Sequence, residues 1–196
     1  MAQKQFIGLS RLWYGEVITT APLTGAALAT YLQAASTKEV TNVHDDTWGY
    51  EESDPEVTEY INQLSGLPYY RDKVSQAAPS VAFTLGEYLF DDLAALIGGT
   101  ATDTSWARPD SVDFIEKGVV AKTKTGNYIV FPRANIIAKG NYVERNLGLG
   151  VTAFALETGV DALASQYMFD GSVVVPPTKH VERPSGQLPQ KPEEKK

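Results

Sequence analysis

The sequence predicts a mostly-β, α+β fold: a sandwich or barrel with one flanking helix at about Glu87–Ile97 and a long early inter-strand loop. Three observations point there. About nine short runs alternate apolar and polar residues or are rich in β-branched and aromatic ones. Gly, Pro and Asn separate these runs at short intervals. One stretch switches clearly to helical spacing, and no long repeat occurs.

The elements follow in order. Leu9–Thr19 (LSRLWYGEVIT) reads as a strand because it carries aromatic and β-branched residues. Pro22 marks a turn. Thr24–Ala35 is Ala- and Leu-rich behind a Thr, which suits a short second helix. Lys38–Tyr50 reads as one strand, with Val40, Asn42 and His44 on one face. Val57–Leu64, Tyr69–Val74 and Ser80–Leu85 are further strands, the last with Val81, Phe83 and Leu85 on a shared face. In Glu87–Ile97, Leu89, Phe90, Leu93, Leu96 and Ile97 fall at helical spacing, Asp91 and Asp92 lie opposite, and Gly98-Gly99 ends the helix. Val112–Thr123 and Tyr128–Phe131 flank a hairpin turn at Thr125-Gly126-Asn127. Pro132 then predicts a strand end or an edge. Ala134–Arg145 and Leu147–Leu156 form a second hairpin around Asn146, and Tyr167–Val175 is the last strand.

The chain divides at Val175. Residues 1–175 form one β domain, of a size that buries enough surface without a staple. Residues 176–196 (PPTKHVERPSGQLPQKPEEKK) hold five of the eleven prolines, no aromatic residue and a net charge of +2. That composition predicts a flexible or polyproline-like arm; pinned in an assembly, it would lie as an extended strap on an adjacent subunit. The net charge of −7 is also uneven. His44–Asp72 carries eight acids against Arg71 alone, together with Trp48, Tyr50, Tyr60, Tyr69 and Tyr70 and no Phe. Trp and Tyr are enriched where one side of a surface is apolar and the other wet. Ile115–Arg145 has the opposite sign, with Lys117, Lys122, Lys124, Arg133, Lys139 and Arg145 against Glu116 and Glu144.

The chemistry available is narrow. With no Cys, thiol catalysis, disulfides and Cys-ligated metals are excluded. His44 and His180 are the two histidines, and His180 falls in the arm. His44, Asp45 and Asp46 are adjacent, and adjacent strand residues point to opposite faces, so they make a poor metal site. Twenty-four acids allow many carboxylate pairs, but their separation is a three-dimensional quantity and no pair stands out. Gly98-Gly99 closes a helix where a phosphate cradle would open one, and Gly148-Leu149-Gly150 lacks the rest of a nucleotide fingerprint. The reading is of no enzyme, no cofactor and no metal. The acidic balance argues against binding nucleic acid through its phosphates. No apolar run approaches a membrane span, and Phe6–Tyr14 is too short and too interrupted for a signal peptide.

Four features, taken together over about residues 5–175, resemble the phage tail tube (major tail) proteins. They are the N-terminal strand with LWYGEV, the strand and acidic, aromatic loop TKEVTNVHDDTWGYEESDPEVTEYINQL, the strand and helix SVAFTLGEYLFDDLAALIGGT, and the hairpin KTKTGNYIVFPRANI. The resemblance implies a non-enzymatic, tail-tube-like β domain that forms stacked hexameric rings around a lumen, through which the genome passes on ejection. It implies a virion component, assembled in the host cytoplasm, with itself and other tail proteins as partners and DNA as a repelled, passing cargo. It also implies that the loop reaches a neighbouring subunit. The interface residues would be Trp48, Tyr50, Glu51, Glu52, Tyr60, Tyr69 and Tyr70, facing a complementary basic surface at Lys122, Lys124, Arg133, Lys139 and Arg145. Closing a sheet across subunits would satisfy its edges, and an acidic conduit would keep DNA from sticking. Two alternatives remain: a tail-completion or secretion-tube ring protein of the same fold, and a carbohydrate-binding β-sandwich stacking sugars on Trp48, Tyr50 and Tyr60.

Overall fold

The computed structural model describes residues 3–75, 78–111 and 113–175. The C-terminal arm, with His180, and Val112 lie outside the described residues. The fold is mostly β: an eight-stranded antiparallel sheet, two short strand pairs and two short helices.

The sheet runs β2 (Thr37–Val40), β1 (Arg11–Gly15), β9 (Ile115–Lys122), β10 (Tyr128–Val143), β11 (Asn146–Ala155), β6 (Ser80–Leu85) and β3 (Gly49–Glu51), and β12 (Tyr167–Phe169) joins it on β10. The long β10 holds it together. Tyr128–Val130 pair with β9 on one side and β12 on the other; after the bulge Ala134–Ile136 still pair with β9, and Ala134–Val143 take β11 in place of β12. The change of partner falls at a bulge between Phe131 and Ala134. Pro132 sits there, fully buried inside a central strand where the sequence predicted a strand end. A bulge leaves a residue out of the ladder, so the missing proline N–H costs nothing. The freed carbonyls are occupied: Ile18 N donates to Pro132 O at 2.9 Å and Leu156 N to Arg133 O at 2.8 Å.

Strands β1, β9 and the first part of β10 are buried on both faces, which explains their nearly continuous apolar runs. Leu12, Tyr14, Val119, Ala121, Ile129 and Phe131 point into the main core with β6, β11 and helix α2 (Phe90–Leu96). Trp13, Val120, Tyr128 and Val130 point the other way, against Leu28 of helix α1 (Gly25–Leu32) and Leu163. The Thr24 hydroxyl caps α1 by accepting from Ala27 N at 3.2 Å.

Several expected elements change. The first strand stops at Gly15, where any Cβ would meet the Tyr31 hydroxyl and Ser36 O below 3.0 Å. The expected strand Lys38–Tyr50 is two strands that serve opposite ends of the sheet, β2 on β1 and β3 on β6. Between them the chain turns through Asp46 in the left-handed region, and the Thr47 hydroxyl accepts from Thr84 N at 3.0 Å in place of a ladder bond. The last strand ends at Phe169 and gives way to a 3₁₀ turn, Gly171–Val173. The second hairpin turns at Glu144-Arg145, both left-handed, one residue before Asn146. A small hairpin, β7 (Thr100–Thr102) with β8 (Ser105–Ala107), occupies a stretch without a sequence signal. Among the described residues no helix is long and apolar enough to cross a membrane.

Helix α2 corrects the sequence in a second way. Asp92, expected on the wet side, is buried, while Leu89 and Phe90, expected in the core stripe, are exposed. The reason is a polar anchor. The Tyr14 hydroxyl of β1 donates to Asp92, Lys38 Nζ of β2 lies 2.5 Å from it, and Leu89 N donates to it at 2.7 Å. These bonds outweigh burial, which alone would raise the Asp92 pKa, and hold the carboxyl below its usual value. Burial and the Asp92 hydrogen bond push the Tyr14 phenol well up.

Replacing Asp92 with Asn leaves Lys38 without its counter-charge and should cost about 2 kcal/mol, a figure kept low because Lys38 is half exposed. A carboxyl whose folded pKa is lowered contributes its stability above the unfolded pKa and loses it as pH falls through the folded one. Urea unfolding should therefore separate wild type from Asp92→Asn at about pH 7 and bring them together towards about pH 3. Phe131→Ala, at the bulge, should cost about 3–5 kcal/mol in the same measurement.

Candidate assembly surface

The expected acidic, aromatic loop has two physically different parts. The first, residues 41–55, lies against the body. His44 N donates to Thr84 O at 2.8 Å, and Val43 bridges Leu85. Trp48 is half-buried and packs on the main core. Tyr50 sits in β3 opposite Val81 and donates its hydroxyl to Glu52 at 3.1 Å. Asp45, Asp46, Glu51, Glu52 and Asp54 all belong to this part, which itself contains no Lys or Arg.

The second part is a two-stranded ribbon, β4 (Glu56–Ile61) paired with β5 (Pro68–Ser75), exposed along its whole length. Asn62 N donates to Leu67 O at 2.9 Å and Gly66 N to Asn62 O at 2.8 Å across the turn, where Gly66 has φ 69°. Register puts Thr58, Tyr60, Tyr70 and Asp72 on one face and Val57, Glu59, Arg71 and Lys73 on the other. The Tyr60 and Tyr70 rings lie 5.7 Å apart, and Arg71 pairs with Glu59. Apolar side chains crowd both faces and the tip: Tyr69 is 71% exposed, Leu67 66%, Leu64 99%, with Val57, Ile61 and Val74 also open.

Charge and apolar surface are thus separated. The body-bound part has five acids and no base, while the ribbon carries Glu56, Glu59 and Asp72 against Arg71 and Lys73 and is nearly neutral. Of the predicted interface residues, Tyr60, Tyr69 and Tyr70 lie on the ribbon. Trp48, Tyr50, Glu51 and Glu52 lie on the body, so Trp48, Tyr50 and Tyr60 do not share one platform. The sequence reading omitted Val57, Ile61, Leu64, Leu67 and Val74. Their signal was present: apolar residues in both phases of the alternation, in strands too polar for a core.

The predicted basic residues also divide. Arg133 holds Glu116 at 2.8 and 2.7 Å through two nitrogens and donates to Glu157 O at 3.1 Å. That bond holds the Glu116 carboxyl below its usual range. Lys122 lies 5.2 Å over the Tyr128 ring. Lys124, Lys139 and Arg145 make no ion pair among the described residues. Arg145 sits in the β10–β11 turn beside a second open apolar cluster. There Tyr142 pairs with Leu147, the Tyr88 hydroxyl donates to Leu147 O at 3.0 Å, and Leu89 and Phe90 follow in the chain.

His44 Nδ1 faces Asp45 O at 3.2 Å, and Nε2 lies 3.9 Å from Glu144. Among the described residues no three His, Asp or Glu side chains converge to hold a metal. The open strand ribbon has exposed apolar area and no core of its own. No protein-family model and no curated protein matches the chain.

A ribbon supported only by its own ladder opens readily. In unassembled protein, backbone amides of β4 and β5 should exchange at least about a hundredfold faster than those of Ile129–Phe131, read by hydrogen exchange with mass spectrometry.

Proposed function

We propose that this chain is the structural subunit of a phage tail tube, forming hexameric rings that stack around a lumen for the genome. The observation that carries this reading is the β4–β5 ribbon: some twenty residues with open apolar side chains, attached to a β body that has its own complete core. A monomer gains nothing from such an element, whereas a second copy could bury it. A ribbon of one copy seated on a different surface of the next is a head-to-tail contact, which closes into rings or extends into tubes. The sequence resemblance to tail tube proteins supports the same reading. In the tube, the acids at residues 45–54 contribute to the negative surface along which DNA slides without sticking. The partners are further copies of the chain and other tail proteins.

Negative-stain microscopy of the purified protein tests this: long uniform tubes are expected. Single rings would favour a tail-completion or secretion-ring protein, and monomers would remove the reading. Leu64→Asp with Tyr69→Asp should abolish tubes while leaving the melting temperature of the unassembled protein nearly unchanged, because exposed positions contribute within about 0.5 kcal/mol. Glu51→Lys with Glu52→Lys should weaken assembly at low salt and recover towards wild type at high salt, because the effect of a surface charge is screened over about 10 Å at 0.1 M. The ribbon variant should show no such recovery. Scattering of the same samples across a salt series separates the two.

A further inference from the structure

We propose that the groove between the start of β1 and the 41–48 segment is a docking site for this chain's own arm, the proline-rich stretch around Pro189-Gln190-Lys191-Pro192. The groove has a volume of about 370 Å³. Its lining is mixed: Leu9, Val40, Val43 and Trp48, each half-buried and packed on the core, stand among polar residues. Its lining carries charges of both signs, Asp45 and Asp46 with Arg11 and Lys124, and Arg11 is already paired with Glu39. Asp45 and Asp46 are exposed and make no ion pair among the described residues, and Lys124 stands on the rim with them.

Such a surface fits an extended proline-rich peptide. Polyproline segments dock on aromatic-lined apolar grooves because their shape is preformed and little ordering entropy is lost. The arm supplies prolines at 189 and 192, Lys191 between them, and Glu193-Glu194 next. Lys191 matches the Asp45–Asp46 side and the glutamates match Lys124.

The tether makes this segment the favoured occupant. Gly171 packs on Gly126 O, and its N–H meets Asn127 Oδ1 at 3.4 Å, at the tip of the hairpin whose Lys124 borders the groove. The segment after Lys4 continues the same end of the molecule. Lys4 pairs with Asp170, Gln5 O accepts from Thr125 Oγ1 at 2.5 Å and Asn127 Nδ2 at 2.6 Å, and Gly8 and Leu9 line the groove. Pro189 is fourteen residues beyond Val175. That length spans about 40 Å as polyproline, about the diameter of a domain of this size, measured from the chain's last described turn, where Val173 lies against Gly25 of α1. Linkage then raises the local concentration of the segment towards the millimolar range, where a weak peptide contact is populated.

The chain has no Cys, so a single introduced pair reports proximity in the full-length protein. Thr41→Cys with Gln190→Cys should cross-link within one chain at least tenfold faster than Thr30→Cys with Gln190→Cys, which places the first thiol on α1. Adding Pro189→Ala and Pro192→Ala, which leave the body untouched, should bring the rate down to that control. Asp45→Lys with Asp46→Lys should do the same at low salt. Equal rates for the two pairs overturn the proposal, and so does a fast link that ignores the prolines. A link that forms mainly between chains also overturns it and assigns the groove to a neighbour's arm.

Discussion

The structure depends on one long strand that changes its neighbour on one side within a single sheet. β10 keeps β9 on one side from Tyr128 to Ile136, while its other neighbour changes from β12 to β11 across Phe131–Ala134. A regular strand could not change partners there without stranding carbonyls inside the core. The bulge solves this because the chain entering α1 and the chain leaving β11 each bring an N–H to the gap, from Ile18 and Leu156. Proline suits the position because a residue outside the ladder has no N–H to donate. Both cores meet across this strand, so the packing of α1 and of α2 is fixed by the same few residues.

Against that frame, the Asp92 anchor is a second, polar constraint. It ties α2 to β1 and to the edge strand β2 through one buried carboxylate. A buried charge is a poor source of net stability but a strict one geometrically, since few placements of the helix satisfy all three donors. The consequence reaches the surface: turning Asp92 inward turns Leu89 and Phe90 outward. These lie open beside Tyr88, whose hydroxyl reaches Leu147 O.

The body is satisfied internally and the ribbon is not. A two-stranded ribbon is marginal in water, and one that is apolar on both faces is more so. Placing the acids at the base, and leaving the ribbon itself nearly neutral, divides the work. Apolar burial would supply contact strength, and the charges would set long-range approach and exclude wrong partners. This division also reframes the expected match between an acidic loop and a basic hairpin. Arg133 and Lys117 are spent on Glu116 and Glu16 within the chain. Lys124, Lys139 and Arg145 remain as the outward-facing cations.

The sequence by itself determined the class of fold, the strand Ser80–Leu85, the hairpin at Thr125–Asn127 and both helices to within a few residues, because alternation, turn chemistry and capping are local. It also marked residues 44–72 as unusual, because composition is countable without a fold. Only the tertiary structure decided that Lys38–Tyr50 divides between two ends of the sheet, that Pro132 is central, that Asp92 is buried, and that the acids and the exposed tyrosines part company. Each of those depends on a partner distant in the chain: Thr84 for Thr47, Ile18 for Pro132, Tyr14 and Lys38 for Asp92. A local pattern says which residues prefer water. Where a distant donor meets a buried carboxylate, that preference is overruled.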